Sequence, residues 1–280
     1  MTAGAAALDA RPRNGVAVAS LAVAASFTIL FGSALLSLLG DWVTSGEYGH
    51  GFILLPVSVW LARSRVVEAR PGRRAGLIAL AVSVGLFLLG MLAGESFTQR
   101  IGVLAALGSL TVYYRGWAQA RAWWLPLALL ASSIPLPDVV LDTLTVPLQL
   151  FASGAAVALL ESRHIPAGQA GNVIFLPGQE LFVAAACSGL RSISALFGLT
   201  LLIAGTCVRS VPARLLLILL AVPAAIGANV LRVFGTGFGA YYLGPEFAKG
   251  FSHHAMAAAA FAFPLALVGG TAWLLSRLER

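Results

Sequence analysis

Apolar runs of near-membrane length follow one another along most of this sequence, and they decide what it can become. The clearest are Val16 to Leu39, Ala75 to Leu92, Leu215 to Val233 and Ala255 to Leu275, separated by short breaks that carry arginine, glycine or proline. A helix needs roughly 20 mainly apolar residues to cross a bilayer. With 59% of residues hydrophobic and 10% charged, no single water-soluble core can hide that surface. Lipid is therefore the solvent for most of the chain. The expected fold is an all-α polytopic membrane protein, one transmembrane domain over 1–280 with no room for a soluble domain. The net charge of +7 does not point to nucleic acid, because the arginines sit in small groups beside apolar runs and form no basic stripe interleaved with aromatics.

Cytoplasmic loops carry an excess of Lys and Arg near the ends of spans, so the arginines set orientation. Arg11 and Arg13 precede a first run too long for a cleaved secretory signal, which reads as a retained span. The group Arg63, Arg65, Arg70, Arg73 and Arg74 marks a cytoplasmic loop after a second span, about Gly51 to Ala62, leaving the Asp41 to His50 turn outside. Spans near Ala75 to Leu92, Ile101 to Tyr114 and Trp123 to Ile134 follow. Arg277 and Arg280 place the carboxyl terminus inside, so the last two spans leave and re-enter the cytoplasm. Parity then requires that Asp138 to Glu161, apolar but bearing Asp138, Asp142, Gln149 and Ser153, lie along the outer surface. The expected count is about eight transmembrane helices, with both termini cytoplasmic.

Between Arg163 and Val183 the helical pattern stops. Asn172-Val-Ile-Phe-Leu, Pro177-Gly178 and Leu181-Phe-Val read as two extended segments about a turn, a short extracytoplasmic β-hairpin that feeds the segment containing Cys187.

Three polar sets fall at the outer ends of the last three spans: Cys187 with Arg191, Asn229 with Arg232, and His253 with His254. Ionisable groups are costly in a membrane, so each either snorkels to the interface or serves a site. On a helix Cys187 and Arg191 share a face. A first-turn position and a cationic neighbour both favour the thiolate, which makes Cys187 the candidate nucleophile. Arg191 is either the charge partner of that thiolate or a tie to backbone carbonyls. A cysteine acting on an amide also needs a proton shuttle and a donor to the developing oxyanion. His253 or His254 suits the first task and Arg232 the second, with Asn229 one turn away to orient it. The bland alternative for Arg232 is a snorkelling anchor. Cys207, with no basic partner in its own helix, reads as packing, and His50 and His164 as interfacial or loop histidines, with substrate contact the alternative for His50 because it lies on the same outer face. No metal-ligand spacing, phosphate loop, haem or flavin box appears, so no cofactor and no metal are expected.

Ala186-Cys187-Ser188-Gly189-Leu190-Arg191-Ser192, then Asn229-Val-Leu-Arg232, then Phe251-Ser252-His253 resemble the signature of the exosortase/archaeosortase family, chiefly over residues 163 to 275. Tyr48-Gly49-His50-Gly51-Phe52 is similar to a segment those proteins carry after the first span. The resemblance implies a multi-pass enzyme of the plasma (inner) membrane with an outward-facing site. Its members are thought to cleave a carboxyl-terminal sorting signal of exported proteins through a cysteine acyl-enzyme and to pass the product to an acceptor. Such a signal is a short motif, an apolar helix and a basic tail, as in PEP-CTERM-like tails linked with exopolysaccharide. The family's Cys, Arg and His fall on Cys187, Arg232 and His253. His254 is a departure, since an acidic residue often stands there. The implied partners are exported substrates and lipid, with no nucleic acid. The rival from another class is a non-catalytic transporter or exopolysaccharide-export component in which Arg191 and Arg232 attract an anion.

Overall fold

The computed structural model describes residues 13–45, 48–183, 190–248 and 250–279. The order is α1 (Arg13–Thr44), α2 (Gly51–Ser64), α3 (Arg73–Leu92), α4 (Ser96–Arg115), α5 (Trp117–Ala122), α6 (Trp124–Ser132), α7 (Asp138–Glu161), β1 (Gly168–Ala170), β2 (Val173–Leu176), β3 (Gln179–Phe182), α8 (Leu190–Cys207), α9 (Val211–Leu243), a 3-10 turn at Pro245–Ala248, and α10 (Gly250–Leu278). The chain is mostly helical and multi-pass, as the apolar runs require.

By length and apolarity five helices among the described residues can cross a membrane: Leu21–Thr44, Arg73–Leu92, Asp138–Glu161, Val211–Leu243 and Ala258–Leu278. The count of eight drawn from the arginines is not reached on that criterion. Gly51–Ser64 and Ile193–Cys207 are apolar but shorter, and α2 at 14 residues spans only about 21 Å. The stretch expected as a fifth span, Trp123 to Ile134, holds a helix of only nine residues, α6. Asp138–Glu161, expected along the surface, is long and apolar enough to span. Its Gln149 and Ser153 are buried against neighbouring elements, so this polar stripe serves packing rather than an aqueous interface.

The amino-terminal half is organised by the α3/α4 hairpin. A Cβ on Gly102 would lie 2.9 Å from the Cα of Phe87, so the glycine is what lets the two backbones approach. The hydroxyls of Ser83 and Ser109 meet at 3.1 Å across the same contact. Phe31 and Ala34 of α1 join Phe87, Val103 and Ala106 in a shared core. The carboxyl-terminal half is a three-helix core of Leu196 and Ala204 from α8, Leu217, Ala221 and Ala225 from α9, and Val268 and Ala272 from α10. At its lower end the Glu279 carboxylate accepts from the Arg209 and Ser210 amides at 2.7 and 3.1 Å and from the Ser210 hydroxyl. This closes the start of α9 where its first amides have no helical partner.

The sheet is antiparallel in the order β1-β2-β3, with Leu176 opposite Gln179 across Pro177-Gly178. Gly178, at φ 75°, supplies the left-handed residue this two-residue connection needs. The hairpin falls where the sequence pattern puts it; β1 is an additional strand. One face of the sheet, through Ile174 and Leu176, packs into a core with Ala152, Ala156 and Leu160 of α7 and Val233 and Ala240 of α9. The Gln179 side chain donates to the Ala240 carbonyl at 2.9 Å, so the hairpin sits over the last third of α9.

Candidate active site

Helix α9 does not stop at Val233, as the apolar run suggests, but continues to Leu243. Arg232 is therefore not at a helix end. It lies 11 residues inside one, about 16 Å by the helical rise, under the sheet. Arg232 is 8% exposed and Asn229 4%. A snorkelling arginine extends its head group into the surroundings; this one is held within the protein. Thr236, buried one turn further on, donates its hydroxyl to the Arg232 carbonyl at 2.9 Å, so the same face of α9 is polar over two turns.

A small cavity of about 60 Å³ opens beside this face, between Arg232 and Thr236 on one side, Phe182 and Val183 on another, and Ala248 on a third. Its volume admits a water or two. Val183 is the last described residue before the Cys187 segment, and Ala248 the last before α10. The chain leading into Cys187 and the chain leading into His253 thus both pass the guanidinium-bearing turn of α9. One turn beyond Arg232, Gly235 faces Met256, one turn beyond His253; a Cβ on Gly235 would lie 2.8 Å from the Met256 sulfur. By backbone position Arg191 falls in the first turn of α8, and His253 and His254 fall at the start of α10. Cys187, and with it the expected Cys187–Arg191 pairing, lies outside the described residues.

Two contacts hold the entry to the cysteine segment. The amides of Gln149 and Asn172 both donate to the Val183 carbonyl, each at 3.2 Å. That oxygen has two lone pairs and both are used. A polar side chain mid-way along apolar α7 is the sequence signal for such an anchor.

The Tyr48-Gly49-His50-Gly51-Phe52 segment builds a brace. The Tyr48 hydroxyl accepts from the Leu136 amide at 3.1 Å, and the Trp42 indole donates to the Ser133 carbonyl at 2.9 Å. Gly51 lies against the Trp42 indole so closely that any side chain would collide with it. The His50 ring reaches Gly198 of α8, where a Cβ would be 3.8 Å from its Cδ2 and 3.3 Å from the Ser132 hydroxyl. His50, in the turn that precedes α2, thus also packs against the helix that follows Cys187. His164, exposed and at φ 60°, remains in the turn after α7.

Sequence reasoning missed one ion pair. Arg100 of α4, 5% exposed, meets the Asp41 carboxylate at 2.6 Å and the Ser37 hydroxyl at 3.1 Å, tying α4 to α1. Larger furrows exist elsewhere, such as one of about 400 Å³ between α1 and the α3/α4 hairpin. Their walls are mainly apolar and, among the described residues, hold none of the candidates.

The family model described as transmembrane exosortase (Exosortase_EpsH) matches residues 42–270. The chain belongs to the transmembrane exosortase family. Searches among curated proteins and among solved structures returned no match. The family match starts at Trp42, where the brace begins, and takes in the sheet, α8, α9 and most of α10. The elements that surround Arg232 thus fall within the match, while most of α1 lies outside it.

Proposed function

We propose that this exosortase-family chain is a protein-sorting cysteine transpeptidase or peptidase acting on the carboxyl-terminal signal of exported proteins. The observation that supports it most is the convergence on Arg232: the end of β3, which leads into Cys187, and the turn into α10 line one small cavity with a buried guanidinium. A buried, permanently charged fork of donors suits a developing oxyanion far better than a surface anchor.

In this reading the Cys187 thiolate attacks the scissile carbonyl carbon, forming a C–S bond and an oxyanion that accepts from Arg232. His253, as imidazolium, gives its proton to the departing amine nitrogen as the C–N bond breaks, leaving a thioester. An acceptor amine, hydroxyl or water then attacks that thioester, gives its proton to the neutral imidazole, and displaces the Cys187 thiolate. Asn229 and Arg191 are supporting residues, and His254 is the alternative shuttle. The site faces the extracytoplasmic side of the plasma membrane, with both termini in the cytoplasm.

The test is co-expression with an exported reporter ending in a short motif, an apolar helix and a basic tail taken from the same genome. Cys187→Ala, Arg232→Ala and His253→Ala should each leave the reporter full length on a gel, while the parent chain shortens it. Flux of a small anion that survives Cys187→Ala, with no Cys187-dependent shortening, would replace this reading with a transporter.

A further inference from the structure

The hydrogen-bond phase of the hairpin fixes which peptide groups of β3 point away from the sheet. Leu176 and Gln179 flank a two-residue turn and form the closing pair. The next rung beyond the strands is the Val183 amide donating to the Asn172 carbonyl at 2.9 Å. In an antiparallel ladder, bonded and non-bonded pairs alternate. Gln179, Leu181 and Val183 are therefore bonded to β2 and its extension, and Glu180 and Phe182 turn their N–H and C=O groups outward. Among the described residues no hydrogen bond is made to those outward groups. The side chains of Glu180 and Phe182 stand on the sheet face turned away from the core, Glu180 exposed and Phe182 64% exposed.

Open strand edges invite pairing, and folds usually blunt them with proline, a bulge, several charges or a covering element. The opposite edge is blunted: β1 has three residues, and the Gln169 side chain donates to the Gly171 and Leu150 carbonyls beside it. β3 has no proline and no bulge, carries one charge, and ends in the exposed ring of Phe182. It is also the strand that enters the Cys187 segment and borders the Arg232 cavity. A lipid-facing position is excluded for such an edge, because its peptide groups would have no partner in hydrocarbon.

We propose that β3 receives an extended segment of the polypeptide substrate as a fourth strand, paired through the peptide groups of Glu180 and Phe182. The occupant is an extended backbone, and recognition at this edge is by main-chain hydrogen bonds with alternate side chains turned to the two faces. Cys187 is the fifth residue after Phe182, a reach of at most about 17 Å. A substrate in register on β3 therefore presents its scissile bond no more than about five residues beyond the paired stretch. This inference rests on the sorting reading for its choice of substrate, but docking and chemistry separate experimentally.

The experiment has two arms, both in membranes with the full chain. In a Cys187→Ser, Cys207→Ser background, Glu180→Cys is crosslinked to single cysteines moved one residue at a time through the extended stretch ahead of the reporter's apolar tail. Strand addition gives crosslinks at every second position; uniform crosslinking, or none, overturns it. In the second arm, Glu180→Pro and Phe182→Pro remove the outward amides together with the two side chains, and leave the N–H and C=O groups that bond β2 in place. Each should lower reporter processing about tenfold, the factor of a lost hydrogen bond, while Cys187 keeps its labelling by a small thiol reagent. Parental processing rates in both variants also overturn the proposal; if labelling is lost as well, the crosslinking pattern decides. Alternating crosslinks without Cys187-dependent cleavage would keep the docking and remove the sorting chemistry. Cys187-dependent cleavage without alternation would do the reverse.

Discussion

The side-chain amide of Gln149, mid-way along α7, donates to the backbone carbonyl of Val183, the residue at which the sheet hands the chain on toward Cys187. Gln149 is 5% exposed, so the bond is made away from water. Gln149→Leu removes one of the two donors to that oxygen and leaves Asn172 in place. The expected loss of stability is about 1 kcal/mol, read as a modest fall of the melting temperature in detergent. Reporter processing should fall more steeply than stability, because the displaced segment is the one that carries the nucleophile.

The Asp41–Arg100 pair should respond asymmetrically to neutralisation. Arg100 is 5% exposed and Asp41 41%. Asp41→Leu strands a buried guanidinium and should cost about 3 kcal/mol. Arg100→Leu leaves a carboxylate that can rehydrate, so its cost should be nearer 1 kcal/mol. Thermal unfolding of both variants and of the double variant checks this, with the double closer to Arg100→Leu than to Asp41→Leu.

How far the sequence reaches is plain at α9. Its apolar run was legible, as was the hairpin about Pro177-Gly178, because both follow from local pattern. The last ten residues of α9 were not, since Gly235, Gly237 and Gly239 look like a helix end. Each is where another element presses on the helix: Met256 at Gly235, Leu160 at Gly237, and the Phe247 ring at Gly239. Tertiary packing overrides the weak propensity of glycine there. β1 was missed because Gly168-Gln169-Ala170 holds no β-branched residue, and the Asp41–Arg100 pair because its partners are distant in sequence. The family resemblance carried by the candidate site's motifs was legible; the burial of Arg232 under the sheet was not.

The α9/α10 contact can be probed without touching a titratable group. Gly235→Ala meets only the end of a flexible thioether and should be tolerated. Gly235→Val overfills the contact, at about 1–3 kcal/mol, and should lower processing by tilting the start of α10 away from Arg232. Met256→Ala in the Gly235→Val background should restore much of both.

Acid should loosen the end of the molecule closed by Glu279. Its carboxyl is held below the ordinary value by the Ser210 hydroxyl first and then by the Arg209 amide, against a smaller opposing effect of desolvation. A group with a depressed folded value adds stability above its unfolded value and loses it as the pH falls through the folded one. The melting temperature of the parent chain should therefore decline more than that of Glu279→Gln between about pH 5 and pH 3. Parallel curves would remove Glu279 from the acid response.

The most direct test of the account is the mass of the covalent intermediate. Purified chain mixed with a reporter tail and quenched in acid should carry one acyl adduct, released by hydroxylamine and mapped to Cys187. The adduct should be absent in Cys187→Ala and strongly reduced in Arg232→Ala. An adduct on Cys207, or parental processing by Cys187→Ala with no adduct, would contradict it.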